Sequence, residues 1–328
     1  MSGSITDSTM RELYNKLPEV VMKDRADSTV TQYSYGFQRW KKWAQTRTQP
    51  VPILPASPLH VALYLLSVMQ TANTAAPVST AFHSIAWAHR LASLPSPTDH
   101  MLPKSVQEAA KRTLTRANLR KNPMTLEIIQ KLCVKYPPSD IHLYSLRTLT
   151  MIVLGFAGFL RFDELSHIRR SDVILFDTHA SIFIEKSKTD QCRDGSWVII
   201  SRSSESTCPV SILERYLSLC EFGEQSDEFI FRSITKLKNG FKLRDTNHPI
   251  SYTRAREVFL ELMKEVVPDN TKFGLHSLRS GGATLAANKG IPDRLLKKHG
   301  RWVSDKAKDL YISEALADRL KVSQSLGL

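Results

Sequence analysis

The chain has 328 residues, 42% of them hydrophobic, and carries 45 Lys and Arg against 32 Asp and Glu, a net charge of +13. That is enough apolar material for a sizeable core, the length suits two domains, and the charge fits either a generic basic surface or a nucleic-acid binder that displaces counterions from phosphates. Four cysteines (Cys133, Cys192, Cys208, Cys220) with no C-x-x-C pair exclude a disulfide scaffold and imply no zinc site, and the longest apolar run, residues 148–160, is too short to span a bilayer.

Residues 1–22 are polar and loosely patterned, lack a signal-peptide core and read as a flexible tail. Residues 28–46 place Val30, Tyr33, Phe37, Trp40 and Trp43 at three- and four-residue steps, one face of a helix closed by the proline-rich stretch 50–58. Ser57 followed by Pro58 marks the cap and first residue of a second helix to about residue 69. A third, residues 77–94, buries Val78, Phe82, Ile85 and Leu91, and residues 104–119 read as a fourth with a basic face. Within residues 101–121, Lys104, Lys111, Arg112, Arg116, Arg120 and Lys121 face a single acid, Glu108, and phosphate contacts are expected there. Residues 23–119 thus form a helical domain. Residues 120–125 (RKNPMT) read as a linker, because Pro123 disfavours a helical residue before it.

Residues 126–328 form a second domain. Helical patterns at 126–136 and 143–160 give way to strand-like runs at 173–176, 181–185 and 197–201, a small antiparallel sheet. Helices return at 210–220, 252–266, 277–289, 292–298, 305–312 and 314–325. The fold class is mainly α with a small antiparallel β-sheet.

Ordered motifs run through this domain. Gly158-Phe159-Leu160-Arg161-Phe162-Asp163-Glu164-Leu165 ends an apolar helix. Glu185-Lys186-Ser187-Lys188-Thr189 follows a strand, and His276-Ser277-Leu278-Arg279 opens a helix containing Gly281 and Gly282, where backbone can approach closely. Gly300-Arg301-Trp302 precedes Tyr311, which lies nine positions after the tryptophan. Each motif alone is weak, but together, in this order and spacing, they resemble the tyrosine recombinases, the integrases typified by Cre and the Xer proteins, from about residue 28 onward.

The resemblance implies a helical core-binding domain, an α/β catalytic domain, and site-specific DNA cleavage and rejoining through a covalent 3′-phosphotyrosyl link without metal, ATP or cofactor. Double-stranded DNA is the implied partner, closed in a clamp by the core-binding and catalytic domains, and the implied assembly is a homo-oligomer, a tetramer on two DNA sites. Arg161 and Arg279 would neutralise the non-bridging phosphate oxygens, with Glu164 orienting Arg161. His276 would hydrogen-bond the phosphate or accept the phenol proton, and Trp302 would donate its indole N–H. Tyr311, on a short helix and anchored by Leu310 and Ile312, would be the nucleophile. A lysine would protonate the leaving 5′-oxygen; Lys188-Thr189 fits the turn after the strand, while Lys186 belongs to the strand end. His299 lies three residues before Trp302 and reads as a surface or capping residue.

The segment 314–325, with Leu316, Leu320 and Leu326 on one side, packs either on its own domain or on a neighbouring protomer. The runs 279–284 and 292–302 resemble recombinases of eukaryotic DIRS-type and Crypton-like elements, which implies a nuclear location; otherwise a cytoplasmic, in either case intracellular, protein is expected. Two other functions fit the residues: a type IB topoisomerase, which relaxes supercoils without exchanging strands, and a transposon-derived DNA-binding protein that no longer cuts. Every expected catalytic position is filled, which a decayed site need not maintain.

Overall fold

The computed structural model describes residues 7–115, 120–185, 195–313 and 316–327. The chain divides into two compact units, Met1–Leu119 and Arg120–Leu328.

The first unit is helical: α1 (Ser8–Met22), α2 (Asp27–Gln45), α3 (Pro58–Thr71), α4 (Ala76–Leu91) and α5 (Met101–Leu114). Its core gathers Trp40, Val61, Tyr64, Leu65, Val78, Ile85 and Ala110 from α2 to α5. Trp40 is fully buried, and its indole N–H donates to the Ile53 carbonyl at 3.1 Å, so the large ring is accommodated without an orphaned donor. His89 joins α4 to the proline-rich loop, accepting from the Ala56 N–H at 2.9 Å and donating to the Ile85 carbonyl at 2.8 Å.

Two local expectations differ from what is observed. Residues 8–22, read as part of a tail, form α1, capped by Asp7 and without a buried residue. Met10, Leu13, Leu17 and Val20 do recur at helical spacing, but Pro18 interrupts the pattern because it lacks an N–H for the helical ladder. Ser57 is at the cap position of α3, yet its side chain makes no capping bond.

In the second unit, α6 (Leu126–Lys135), α7 (Leu143–Ala157) and α8 (Phe162–Ser166) precede a sheet of β1 (Val173–Leu175), β2 (His179–Ile184) and β3 (Ser196–Ser201). The strands run antiparallel in the order β1-β2-β3, with Ile182 opposite both Val173 and Val198. Ala180, Ile182 and Ile184 alternate toward the core, as a sheet with one covered face requires. Then follow α9 (Pro209–Cys220), a hairpin of β4 (Ile234–Leu237) and β5 (Gly240–Leu243), α10 (Tyr252–Lys264), α11 (His276–Asn288), α12 (Asp293–Gly300), α13 (Asp305–Asp309) and α14 (Leu316–Gln324).

Helix α7 is the central element of this unit, buried from Leu146 to Gly155 with α9 and α11 packed against it. Close approach of α11 requires glycine: a Cβ on Gly281 would lie 2.1 Å from the Met124 carbonyl oxygen, and one on Gly282 would lie 2.0 Å from that of Phe156. The expected linker is packed into this unit. Asn122 and Met124 donate their N–H groups to the carbonyls of Lys272 and Ser277, each at 2.8 Å, and the Met124 side chain is buried. Pro123 disfavours a helical residue before it, and the stretch lies along the unit with the N–H groups of Asn122 and Met124 paired.

Candidate active site

The site forms where the end of α7, the start of α11 and the loops flanking α12 and α13 meet. Helix α7 stops at Ala157, and the chain turns through Gly158 and Phe159, the latter at φ +47°, in the left-handed region that non-glycine residues avoid. Arg161 is therefore not the last residue of an apolar helix, as its position suggested, but the cap residue of the next one, α8. Glu164 on the first turn of α8 accepts from the Arg161 main-chain N–H at 2.9 Å and from its guanidinium at 2.6 Å.

Glu164 orients more than Arg161. Its carboxylate, 1% exposed, also receives Arg301 at 2.8 Å and lies 3.7 Å from Arg279. Burial alone would push this carboxyl up; Arg301, the Arg161 N–H, Arg279 and Arg161 together outweigh it and hold it below the ordinary carboxylate range. Arg301 could not be placed in this cluster from spacing alone, because its partner Glu164 is 137 residues away. Arg301, at φ +54°, ends α12 and bonds to the carbonyls of His299 at 2.8 Å and Phe159 at 3.1 Å.

Arg279, fully buried, donates one terminal nitrogen to the Phe159 carbonyl and the other to the Gly300 carbonyl at 2.5 Å. Its guanidinium carbon lies 4.6 Å from the centre of the Trp302 ring and 5.0 Å from that of Tyr311. Burial first, then the neighbouring Arg161, pull its pKa below the ordinary guanidinium value while Glu164 opposes them; the group stays cationic at neutral pH. Three guanidinium groups thus share one carboxylate, an excess of positive charge in a poorly hydrated place. Its Nε and the indole N–H of Trp302 are buried and have no acceptor among the described residues. Buried donors in this state are receptive to an oxygen-rich anion.

Tyr311 and Trp302 complete the arrangement. Trp302 is buried with Phe159, Ala283 and Leu296, and Tyr311 and Ile312 pack against that cluster. The Tyr311 ring centre is 5.5 Å from that of Trp302 and 4.9 Å from that of His276, an exposed residue on the first turn of α11. Two details correct the sequence reading: α13 ends at Asp309, so Tyr311 occupies the following turn, and Leu310 is 55% exposed and anchors nothing. Lys308 of α13 is buried and turns inward to Asp293 of α12 at 2.6 Å. His299 is not a surface residue: it is half-buried, and Nε2 donates to the Ala157 carbonyl at 2.8 Å. Burial pushes its pKa down, with the Ala157 carbonyl opposing, so it stays neutral at pH 7.

Arg161, Glu164, Arg279, Trp302, Tyr311 and His276 therefore come together, whereas Lys186 and Lys188 lie outside the described residues. Of the expected DNA-contacting cations, Lys104, Lys111 and Arg112 are exposed on α5, with Lys111 also 2.7 Å from Glu108. Arg116 lies outside the described residues. Arg120 and Lys121 belong to the second unit, where they donate to the carbonyls of Leu310 and Thr271. Among the described residues, no three His, Cys, Asp or Glu side chains gather as a metal site would need, and no helix is long and apolar enough to cross a membrane.

The carboxylate at the centre of the cluster makes a test of stability. Glu164→Gln leaves the buried cations without a counter-charge and is expected to cost about 3–5 kcal/mol in urea unfolding at pH 7. The folded pKa is depressed, so the contribution is fully present above the unfolded value of about 4.3 and is lost as pH falls through the lower folded value. The gap between wild type and variant should accordingly close as pH drops below about 4. A gap that stays constant through that range would remove the ion-pair explanation.

Residues 126–316 match the Phage integrase family. The chain is 28% identical over 295 residues to an integrase/recombinase XerD homolog of Selenomonas ruminantium, covering 89% of this chain and 83% of that protein. Among solved structures it is similar to the XerH site-specific recombinase bound to a palindromic difH substrate (TM-score 0.59, 13% identity, 100% of this chain and 91% of that one). It is also similar to a lambda integrase fragment, residues 75–356, solved as a dimer bound to a COC′ core site (TM-score 0.55, 16% identity, 92% and 95%). At these identities the structural likenesses speak to the fold.

Proposed function

Since the chain belongs to the phage integrase family, a family of site-specific DNA recombinases, we propose that it cuts and rejoins DNA strands through Tyr311. The observation that carries this reading is the tyrosine ring lying over Arg279, which is itself joined through Glu164 to Arg161 and Arg301. A phenol beside concentrated positive charge suits in-line attack on a phosphodiester, where charge builds on the non-bridging oxygens.

The tyrosine oxygen attacks phosphorus, its proton passing toward His276, and the bond to the 5′-oxygen breaks. Lys188 protonates that oxygen, leaving a free 5′-hydroxyl and a 3′-phosphotyrosyl link. Attack by another 5′-hydroxyl reverses these steps and joins the strand. Arg161, Arg279 and the Trp302 indole N–H stabilise the phosphate oxygens, while Glu164 and Arg301 hold the cluster in shape. Lys104, Lys111 and Arg112 contribute phosphate contacts from the first unit. A lambda integrase with this fold has been solved as a tetramer bound to a Holliday junction, and a comparable assembly on two DNA sites is proposed for this chain.

Protein cations supply the charge in this scheme, so capture should not need a divalent ion. Purified protein is mixed with nicked duplexes carrying randomised sequence around the nick. Loss of the short 5′-hydroxyl fragment prevents rejoining and leaves a denaturation-resistant adduct. The yield is expected to be the same in excess EDTA. Complete loss of adduct in EDTA, restored by Mg²⁺, would overturn the mechanism.

A further inference from the structure

We infer that the hydroxyl of Thr284 is a positioning group for the nucleophile, gripping the main chain at the Tyr311 carbonyl and again at the Ser313 amide just beyond it. This rests on the reading of Tyr311 given above. Thr284 lies on α11, the helix that also carries His276 and Arg279. Its Oγ1 donates to the Tyr311 carbonyl at 3.3 Å and accepts from the Ser313 N–H at 3.0 Å. A hydroxyl has one proton and two lone pairs, so both bonds coexist.

The position of these bonds makes them consequential. Helix α13 stops at Asp309, so the Tyr311 carbonyl and the Ser313 amide lie beyond its hydrogen-bond ladder. The apolar contacts of Tyr311 and Ile312 hold the segment down, but dispersion contacts are non-directional and tolerate sliding along the cluster. The Tyr311 N–H bonds back to the Lys308 carbonyl at 2.9 Å, and two further directional bonds to one atom fix the register beyond it. They also refer the nucleophile to the same helix that positions the expected phosphate and proton contacts, so the three groups shift together. Attack requires the reacting atoms to be aligned at about 3–3.5 Å, and a displacement of about 1 Å can cost on the order of 100-fold in rate.

Two variants and two readouts test this. Thr284→Val keeps the β-branched shape and deletes both bonds; Thr284→Ser keeps the hydroxyl. On the nicked duplex pool, single-turnover capture is expected to slow by about 10- to 100-fold in Thr284→Val, with the DNA concentration for half-maximal capture unchanged. Thr284→Ser should recover most of the rate. In the protein without DNA, amide hydrogen exchange at Ser313 should accelerate in Thr284→Val and stay near wild type in Thr284→Ser.

A wild-type capture rate in Thr284→Val overturns the positioning role, whatever the exchange shows. A slowed rate that Thr284→Ser does not rescue assigns the loss to packing and overturns it equally. Failure of the wild-type protein to capture any DNA overturns the Tyr311 reading instead, while Ser313 exchange still reports whether the Thr284 hydroxyl holds the segment.

Discussion

Tyr311→Phe is expected to abolish the denaturation-resistant adduct with nicked DNA and to leave DNA binding and the unfolding midpoint nearly unchanged. The substitution removes one oxygen. The ring contacts with His276, Trp302 and Arg279 are made by the aromatic face and edge, which phenylalanine retains. With the turn still packed against Phe159, Ala283 and Leu296, only the capacity to form a bond to phosphorus is lost. The adduct is read on a denaturing gel with end-labelled DNA, and binding is read in parallel by mobility shift. An undiminished adduct would assign the nucleophile to another residue, and loss of both binding and folding would show the ring oxygen to be structural.

The second large effect concerns the leaving group. Lys188→Ala is expected to lose about 10²–10⁴-fold in cleavage rate, the usual range for general acid catalysis, and Lys186→Ala far less. Replacing the bridging 5′-oxygen by sulfur creates a leaving group that departs without a proton. The sulfur substrate should therefore restore cleavage to Lys188→Ala and not to Arg161→Ala, whose charge acts on the non-bridging oxygens. Rescue of Lys186→Ala, with Lys188→Ala still inactive, would move the general acid two residues toward β2.

Much of the architecture was legible because it depends on local periodicity. The stripe from Val30 to Trp43 marks the buried face of α2, and the alternation around Ala180 to Ile184 marks β2. The hairpin β4–β5 escaped notice because its strands have four residues each and include Lys236 and Lys242, leaving no clear apolar alternation. Helix α8 has five residues, too few for a helical period to show. In the site, Arg161, His276, Arg279 and Trp302 could be singled out through the family resemblance that their order and spacing carry. Arg301, Thr284 and His299 could not be assigned their partners, because each acts through a contact to a residue distant in the chain, at the far end of a fold that periodicity does not specify.

Distance along the chain also sets an order of events during synthesis. Glu164 and its partner Arg301 are separated by 137 residues, and the carbonyl that receives Arg279 belongs to Gly300. At the usual pace of about 5–20 residues per second, the ribosome needs on the order of 7–30 s to pass from one to the other. Through that interval the nascent chain exposes cations attractive to nucleic acid but has neither a finished cluster nor a tyrosine at position 311. The proposed capacity to cut DNA thus arises only once position 311 has been made, after the scaffold that restrains it.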